Sequence, residues 1–273
     1  SPMSPSRNQK DSGSLQFRHP EPPAPRTRIW PVFLPFHGCP GRCVYCAQEI
    51  QTRTRPVSLP DHYARLERDL LQALHSQKSP LEIAFFGGTF TNLPGDWALR
   101  FVDLARSFKQ AGLITRIRCS TRPDSLVPGQ LQVLRRAGLD MIELGVQSFS
   151  PKALRVSRRG YGADVALKAC RTVTELGFEL AVQLIPGLPG QSQRCWQQES
   201  RILKDIHPAN VRLYPCLVFR GTRLEQMWIH GHYRPWSLPT AVSSLARTVL
   251  FLWRHGIQVI RTGLANEEGL QEH

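Results

Sequence analysis

Between residues 29 and 261, short apolar runs alternate with segments of helical period, and this alternation restricts the fold more than any other feature of the chain. IWPVFLPF (29–36) and LEIAFF (81–86) are continuous apolar runs of strand length, and 114–120, 140–146, 178–185, 210–214 and 257–261 extend the series. Between them, 61–77 carries Tyr63, Leu66, Leu70, Leu71 and Leu74 at helical spacing. Segments 96–111, 129–137, 163–176, 193–205 and 240–255 read as further helices, with a short extra one at 150–157. Strands alternating with helices predict a parallel sheet with right-handed crossovers and helices outside it. A doubly wound open sheet and a barrel both satisfy that pattern.

The strand ends favour the barrel. Glycine or polar residues follow nearly every strand: HGC at 37–39, GGT at 87–89, STRPD at 120–124, GVQS at 145–148, PGLPG at 186–190 and YP at 214–215. In a barrel these ends converge on one mouth, where the catalytic groups of such folds lie. The expected fold is therefore α/β, a partial (β/α) barrel of about six parallel strands with outer helices. It is expected to occupy 29–273, after a flexible leader, 1–28, too rich in Pro, Ser and charge to bury a core.

A chain of 273 residues with 41% hydrophobic content suits one large globular domain. Lys and Arg outnumber Asp and Glu by 35 to 21, an excess of +14 that would attract phosphate-bearing partners. Residues 1–60 supply 8 basic and 3 acidic groups, so most of the excess belongs to the folded body rather than to a tail. The seven cysteines are too unevenly spaced for a disulfide scaffold. Cys119, Cys170, Cys195 and Cys216 read as small buried side chains without assigned chemistry. No segment has the apolar length of a membrane span, no membrane role is expected, and a reducing cytoplasm is the expected compartment.

The remaining three cysteines are different. His37-Gly38-Cys39-Pro40-Gly41-Arg42-Cys43-Val44-Tyr45-Cys46 sets three thiols in a C-x3-C-x2-C spacing on one loop at a strand end. Structural zinc wants four protein ligands, so zinc here would have to recruit His37 or a distant residue. An iron–sulfur cube with three thiolate-bound irons and one iron open to an outside ligand explains the deficit directly.

This spacing, with an aromatic residue just before the last cysteine, resembles the signature of radical S-adenosylmethionine enzymes. The resemblance extends over residues 30–262. CSTRPDSL (119–126), IELGVQSFSPKALRVSRRGY (142–161), LIPGLPGQS (184–192) and VRLYPCLVFRGTRLEQMW (211–228) are similar to the branch containing the catalytic subunit of Elongator and, more distantly, oxygen-independent coproporphyrinogen oxidase. It implies a 4Fe-4S cluster on Cys39, Cys43 and Cys46, with S-adenosyl-L-methionine chelating the fourth iron. Reductive cleavage would release a 5′-deoxyadenosyl radical that abstracts a hydrogen atom from the substrate. Gly87, Gly88 and Thr89 would bind the methionyl amine, Gln147 the adenosine portion, and Arg159 the carboxylate through its planar fork. The resemblance also implies an electron donor such as a flavodoxin or ferredoxin.

Two positions depart from the porphyrinogen oxidases, which carry acids where this chain has Ser120 and Gln183. Both departures count against the porphyrinogen reaction, and Ser120 also differs from the Glu of many Elongator-like proteins. Arg122 and Asp124 are candidates for a structural ion pair. A tRNA base is the candidate substrate, given the net charge. A porphyrin-like or other small molecule is the alternative, and a non-catalytic, metal-stabilised nucleic-acid-binding module is the reading from another class. About a dozen residues follow the last strand, so the chain is expected to be a shorter relative of the Elongator subunit or a piece of a longer protein.

Overall fold

The computed structural model describes residues 19–23, 27–46, 57–76 and 78–263; most of the expected leader lies outside them. Seven strands form one sheet in strict chain order: β1 (Ile29–Phe33), β2 (Leu81–Phe86), β3 (Ile114–Thr121), β4 (Met141–Gln147), β5 (Glu179–Leu184), β6 (Asn210–Leu213) and β7 (Gln258–Thr262). Every neighbouring pair is parallel. A doubly wound sheet reverses its strand order so that helices cover both faces. Here the order never reverses, so right-handed crossovers place all the connecting helices on one side.

The uncovered face curls inward. Flat strands spaced about 4.8 Å apart would set β2 and β6 roughly 19 Å from each other. Yet the guanidinium of Arg212, on β6, lies 4.9 Å from the ring centre of Phe86, on β2. The architecture is a half-barrel, α/β, as the strand ends suggested.

Among the described residues eight α-helices accompany the sheet: α1 (Leu59–His75), α2 (Trp97–Gln110), α3 (Pro128–Arg136), α4 (Pro151–Val156), α5 (Ala163–Glu175), α6 (Gln193–Ile206), α7 (Arg223–Ile229) and α8 (Leu238–Arg254). Five begin at a serine or threonine whose hydroxyl accepts a first-turn backbone N–H: Ser58, Ser150, Ser192, Thr222 and Ser237. Each such cap stabilises its helix by about 1 kcal/mol. Helix α7 was not expected from the apolar pattern. Its signal was Thr222-Arg-Leu-Glu225, a capping box, and Glu225 reaches back to accept from Gly221 N at 2.8 Å. Strand β1 is shorter than the run 29–36 because the chain leaves the sheet at Leu34, turns over 35–38 and gives Phe36 a φ of 57°.

The two faces of the sheet differ residue by residue. Ile83, Phe85, Ile117, Ile142, Leu144 and Val182 point outward and are at most 1% exposed in the layer beneath the helices. The alternate positions face inward and are largely polar. Among the described residues no helix is long and apolar enough to cross a membrane.

Candidate active site

The cysteine loop leaves β1 at the barrel mouth and is pinned on three sides. Val44 N donates to Ser157 O at the end of α4, and Leu224 N, in the first turn of α7, donates to Val44 O at 2.8 Å. Val44 itself is buried against Leu224 and Tyr233. The loop also crosses the turn after β2: Thr89 N donates to His37 O at 2.8 Å, and Asn92 Nδ2 donates to Gly38 O. His37 bonds through its ring to Val57 O, so its imidazole is engaged outside the cysteine group.

Gly87, Gly88 and Thr89 lie beneath this crossing. A Cβ on Gly88 would come within 2.1 Å of His37 O and 2.7 Å of Leu34 O. A Cβ on Gly38 would come within 2.3 Å of Thr89 O. Two backbones touch here, and only glycine permits the approach. Gly87 adopts φ +99°, in the region that favours glycine. Thr89 is fully buried, and its hydroxyl lies 3.3 Å from Cys39 Sγ. The expected amine-binding turn is thus also the shelf that carries the cysteine loop.

Gln147 ends β4 in a left-handed conformation, φ 68°, at a register shift against β5. That shift aims its side chain across the mouth, where Gln183 Nε2 donates to its Oε1 at 3.4 Å. Arg159, 5% exposed, reaches the mouth from the turn after α4. Its Nε and Nη2 donate to Tyr161 Oη, its Nη2 also to Gly145 O, and its Nη1 to Cys43 Sγ at 3.0 Å. The fork is therefore largely engaged by protein, and it offers an incoming carboxylate its charge rather than two parallel hydrogen bonds. Tyr161 Oη in turn donates to the Gly145 and Val146 carbonyls, and burial raises its phenol pKa.

Arg122 and Asp124 form the expected ion pair, bidentate at 2.7 and 2.9 Å. Arg122 does more than pair: it also donates to Arg159 O, and its Nη1 sits 3.9 Å from Cys43 Sγ.

Arg122, Gln147 and Arg159 help line one cavity of about 670 Å³. Cys39, Cys46, Gly87, Gly88 and Thr89 form one part of its wall, with Gln147 and Arg159 in another. Cys43 Sγ contacts two arginines of that lining, Arg159 and Arg122. The lining holds four arginines, Arg122, Arg159, Arg212 and Arg261, against one carboxylate, Glu143, so the cavity favours an anionic ligand. Glu143 accepts from Arg118 Nη2 at 2.7 Å, lies 3.0 Å from Arg212 Nε, and receives Ser120 Oγ at 3.4 Å. Arg118 also donates to Glu82 at 2.9 Å. This floor of buried charges, and Tyr161, were missed from sequence. Their signal was present: Arg116, Arg118 and Ser120, then Glu143, Gly145 and Gln147, interrupt apolar strands at every second residue.

A latch behind the mouth holds the loops after β4 and β5. Glu199, on α6 and 1% exposed, accepts from Ser148 Oγ at 2.5 Å and Gln191 Nε2 at 3.0 Å, while Gln191 Oε1 accepts from Gly187 N. Burial pushes the Glu199 carboxyl above the usual range, against those hydrogen bonds, which pull it down. Of the other cysteines, Cys119 and Cys170 are core residues, and burial pushes the Cys170 thiol up to about 12. Cys195 is half-buried beside Glu199. Cys216 lines the cavity, with burial raising its thiol to about 11.

The donor set fits an iron–sulfur cluster. Among the described residues no three His, Cys, Asp or Glu side chains converge closely enough to hold a single ion. A cube presents a separate iron to each thiolate, so its ligands stand further apart than those of a single ion. Cys39 and Cys46 face a cavity large enough for a further ligand, beside a turn with exposed backbone.

Comparison with known proteins agrees. Residues 33–199 match the profile of the Radical SAM superfamily, and 208–272 match the Radical SAM C-terminal domain. An uncharacterised protein of Methanocaldococcus jannaschii is 30% identical over 211 residues, covering 72% of this chain and 63% of that protein. The tRNA uridine(34) acetyltransferase of Methanocaldococcus infernus is 26% identical, covering 79% of this chain and 48% of the relative. The chain thus spans between about half and two-thirds of the length of these relatives. The solved structure of Methanocaldococcus infernus Elp3 lacking its N-terminus superposes with a TM-score of 0.64 at 20% identity, covering 90% of this chain and 62% of that one, so it shares the fold.

Proposed function

We propose, from the premise that the chain belongs to the radical S-adenosylmethionine superfamily, that Cys39, Cys43 and Cys46 are the ligands of its 4Fe-4S cluster and that the substrate is a tRNA uridine. The protein is an enzyme, and its cofactors are those of the superfamily, a 4Fe-4S cluster and S-adenosyl-L-methionine. The observation that carries the site assignment is the convergence of Cys39, Cys46, Gly87, Gly88, Gln147 and Arg159 on one cavity. Cys39, Cys43 and Cys46 would hold the cluster, which would supply the one-electron reduction of S-adenosyl-L-methionine that starts radical chemistry on the substrate.

The chain's own residues bind and orient. The backbone of Gly87 and Gly88 receives the methionyl amine, Arg159 offers positive charge to the carboxylate, and Gln147 meets the adenosine portion. Arg261, in the lining of the same cavity, offers charge to a substrate phosphate. The tRNA reading is supported by the 26%-identical relative, a tRNA uridine(34) acetyltransferase, and by the +14 charge. A small electron carrier such as a flavodoxin or ferredoxin would deliver the electron, and the cytoplasm supplies the reducing setting.

Anaerobic reconstitution tests the site: about four irons per chain with broad absorption near 400 nm, and 5′-deoxyadenosine released on reduction with S-adenosylmethionine. A colourless protein that binds one zinc would overturn it. For the substrate, tRNA binding should weaken steeply with log salt and should stimulate nucleoside release. Release indifferent to tRNA would overturn that half.

A further inference from the structure

Two of the three thiols, Cys39 and Cys43, have unequal surroundings. Cys39 faces a neutral hydroxyl, that of Thr89 at 3.3 Å. Cys43 faces two guanidinium groups, Arg159 Nη1 at 3.0 Å and Arg122 Nη1 at 3.9 Å. Neither arginine reaches it by chance of a long side chain. Arg159 is clamped by Tyr161 Oη and Gly145 O, Arg122 by Asp124 and Arg159 O. Both lie over the Tyr161 ring, at 5.2 and 5.4 Å from its centre. Side chains held this way keep their charge in place when a ligand arrives. The pair carries two positive charges and only one, on Arg122, is offset by a nearby carboxylate.

We infer that Arg159 and Arg122 are positioning residues that tune the cluster electronically through Cys43, raising its reduction potential so that a one-electron donor can load it. This rests on the cluster assignment above and goes beyond Arg159's contact with the methionyl carboxylate. Reduction adds one electron to the cluster with no bond made or broken. The reduced form is one charge more negative, so a fixed positive charge and an N–H donor at a ligand sulfur favour it. Because Arg159 is 5% exposed, water screens the effect little. Arg122, more distant and partly neutralised by Asp124, contributes less.

The test is a redox titration of the reconstituted protein, followed by electron paramagnetic resonance with dithionite as reductant and no S-adenosylmethionine present. Without that ligand, Arg159's contact with its carboxylate plays no part. Arg159→Gln is expected to lower the ratio of reduced to oxidised cluster at fixed potential about tenfold, a shift near 59 mV for one electron. Arg159→Lys should recover most of that loss, and Arg122→Gln should give a smaller shift of the same sign. An unchanged midpoint in iron-replete Arg159→Gln overturns the inference while leaving the cluster assignment intact. Should Arg159→Gln fail to take up iron, Arg122→Gln decides: a downward shift supports the inference, and an unmoved midpoint overturns it. A wild-type chain that takes up no four-iron cluster removes the premise and overturns both.

Discussion

The outer and inner faces of the half-barrel are built from the same strands, yet they obey opposite rules. On β4, Ile142 and Leu144 face helices in a dry apolar layer, while Glu143 between them faces the cavity and holds two arginines. The outer face needs volume and hydrophobicity, and many side chains meet that need. The inner face needs particular charges in particular pairs, since each buried ion requires its partner. Apolar packing is thus concentrated on one side of β4 and paired charge on the other, one residue apart.

Substitutions on the mouth, the two faces and the latch can break or sharpen this contrast. The largest effect should come from Cys39→Ala or Cys46→Ala, which should abolish iron uptake and 5′-deoxyadenosine release. Either should shift the urea stability of the iron-free protein by only about 0.5 kcal/mol. A large loss of iron-free stability would blur the division between fold and chemistry.

Next in size is a paired comparison within and behind the sheet. Glu143→Ala leaves Arg212 without its carboxylate and Arg118 with Glu82 alone, and should cost about 3–5 kcal/mol in urea unfolding. The neighbouring volume-conserving change Ile142→Leu should cost less than about 1.5 kcal/mol. Equal costs would show that the inner charges are as replaceable as the outer apolar groups. Gly88→Ala should cost about 1–3 kcal/mol, because its Cβ would collide with the His37 and Leu34 carbonyls. It should also impair iron uptake by lifting the cysteine loop, and iron content per folded chain measures this.

The smallest effect concerns the latch. Burial raises the Glu199 carboxyl in the folded protein above its unfolded value, so folding favours its protonated form. That contribution is complete below the unfolded carboxylate pKa of about 4.3 and is lost as pH rises through the folded value. The urea midpoint should fall across that window, and Glu199→Gln should flatten the fall.

Much of this division was legible without coordinates. The alternation of runs located seven strands and all the longer helices, since periodicity is a local consequence of which side chains must leave water. The cysteine spacing pointed to iron–sulfur ligation, because three thiolates on one short loop leave a cluster short of one protein ligand. Helix α7 escaped because its apolar face is one turn long, although its capping box marked its start. The faces of the strands escaped for another reason. A charge at every second position looks like an exposed strand, and only the helical cover on the opposite side reveals it as the floor of a cavity.

What the sequence determined alone was therefore the local vocabulary: strands, helices, glycine turns and one loop of thiols. Tertiary structure decided which of these meet. Arg159 and Cys43 stand 116 positions apart, and Arg212 and Glu143 meet across two strands. Contacts of that range depend on how far the sheet curls, and curvature is a sum over every strand pair and helix packing that no single segment encodes.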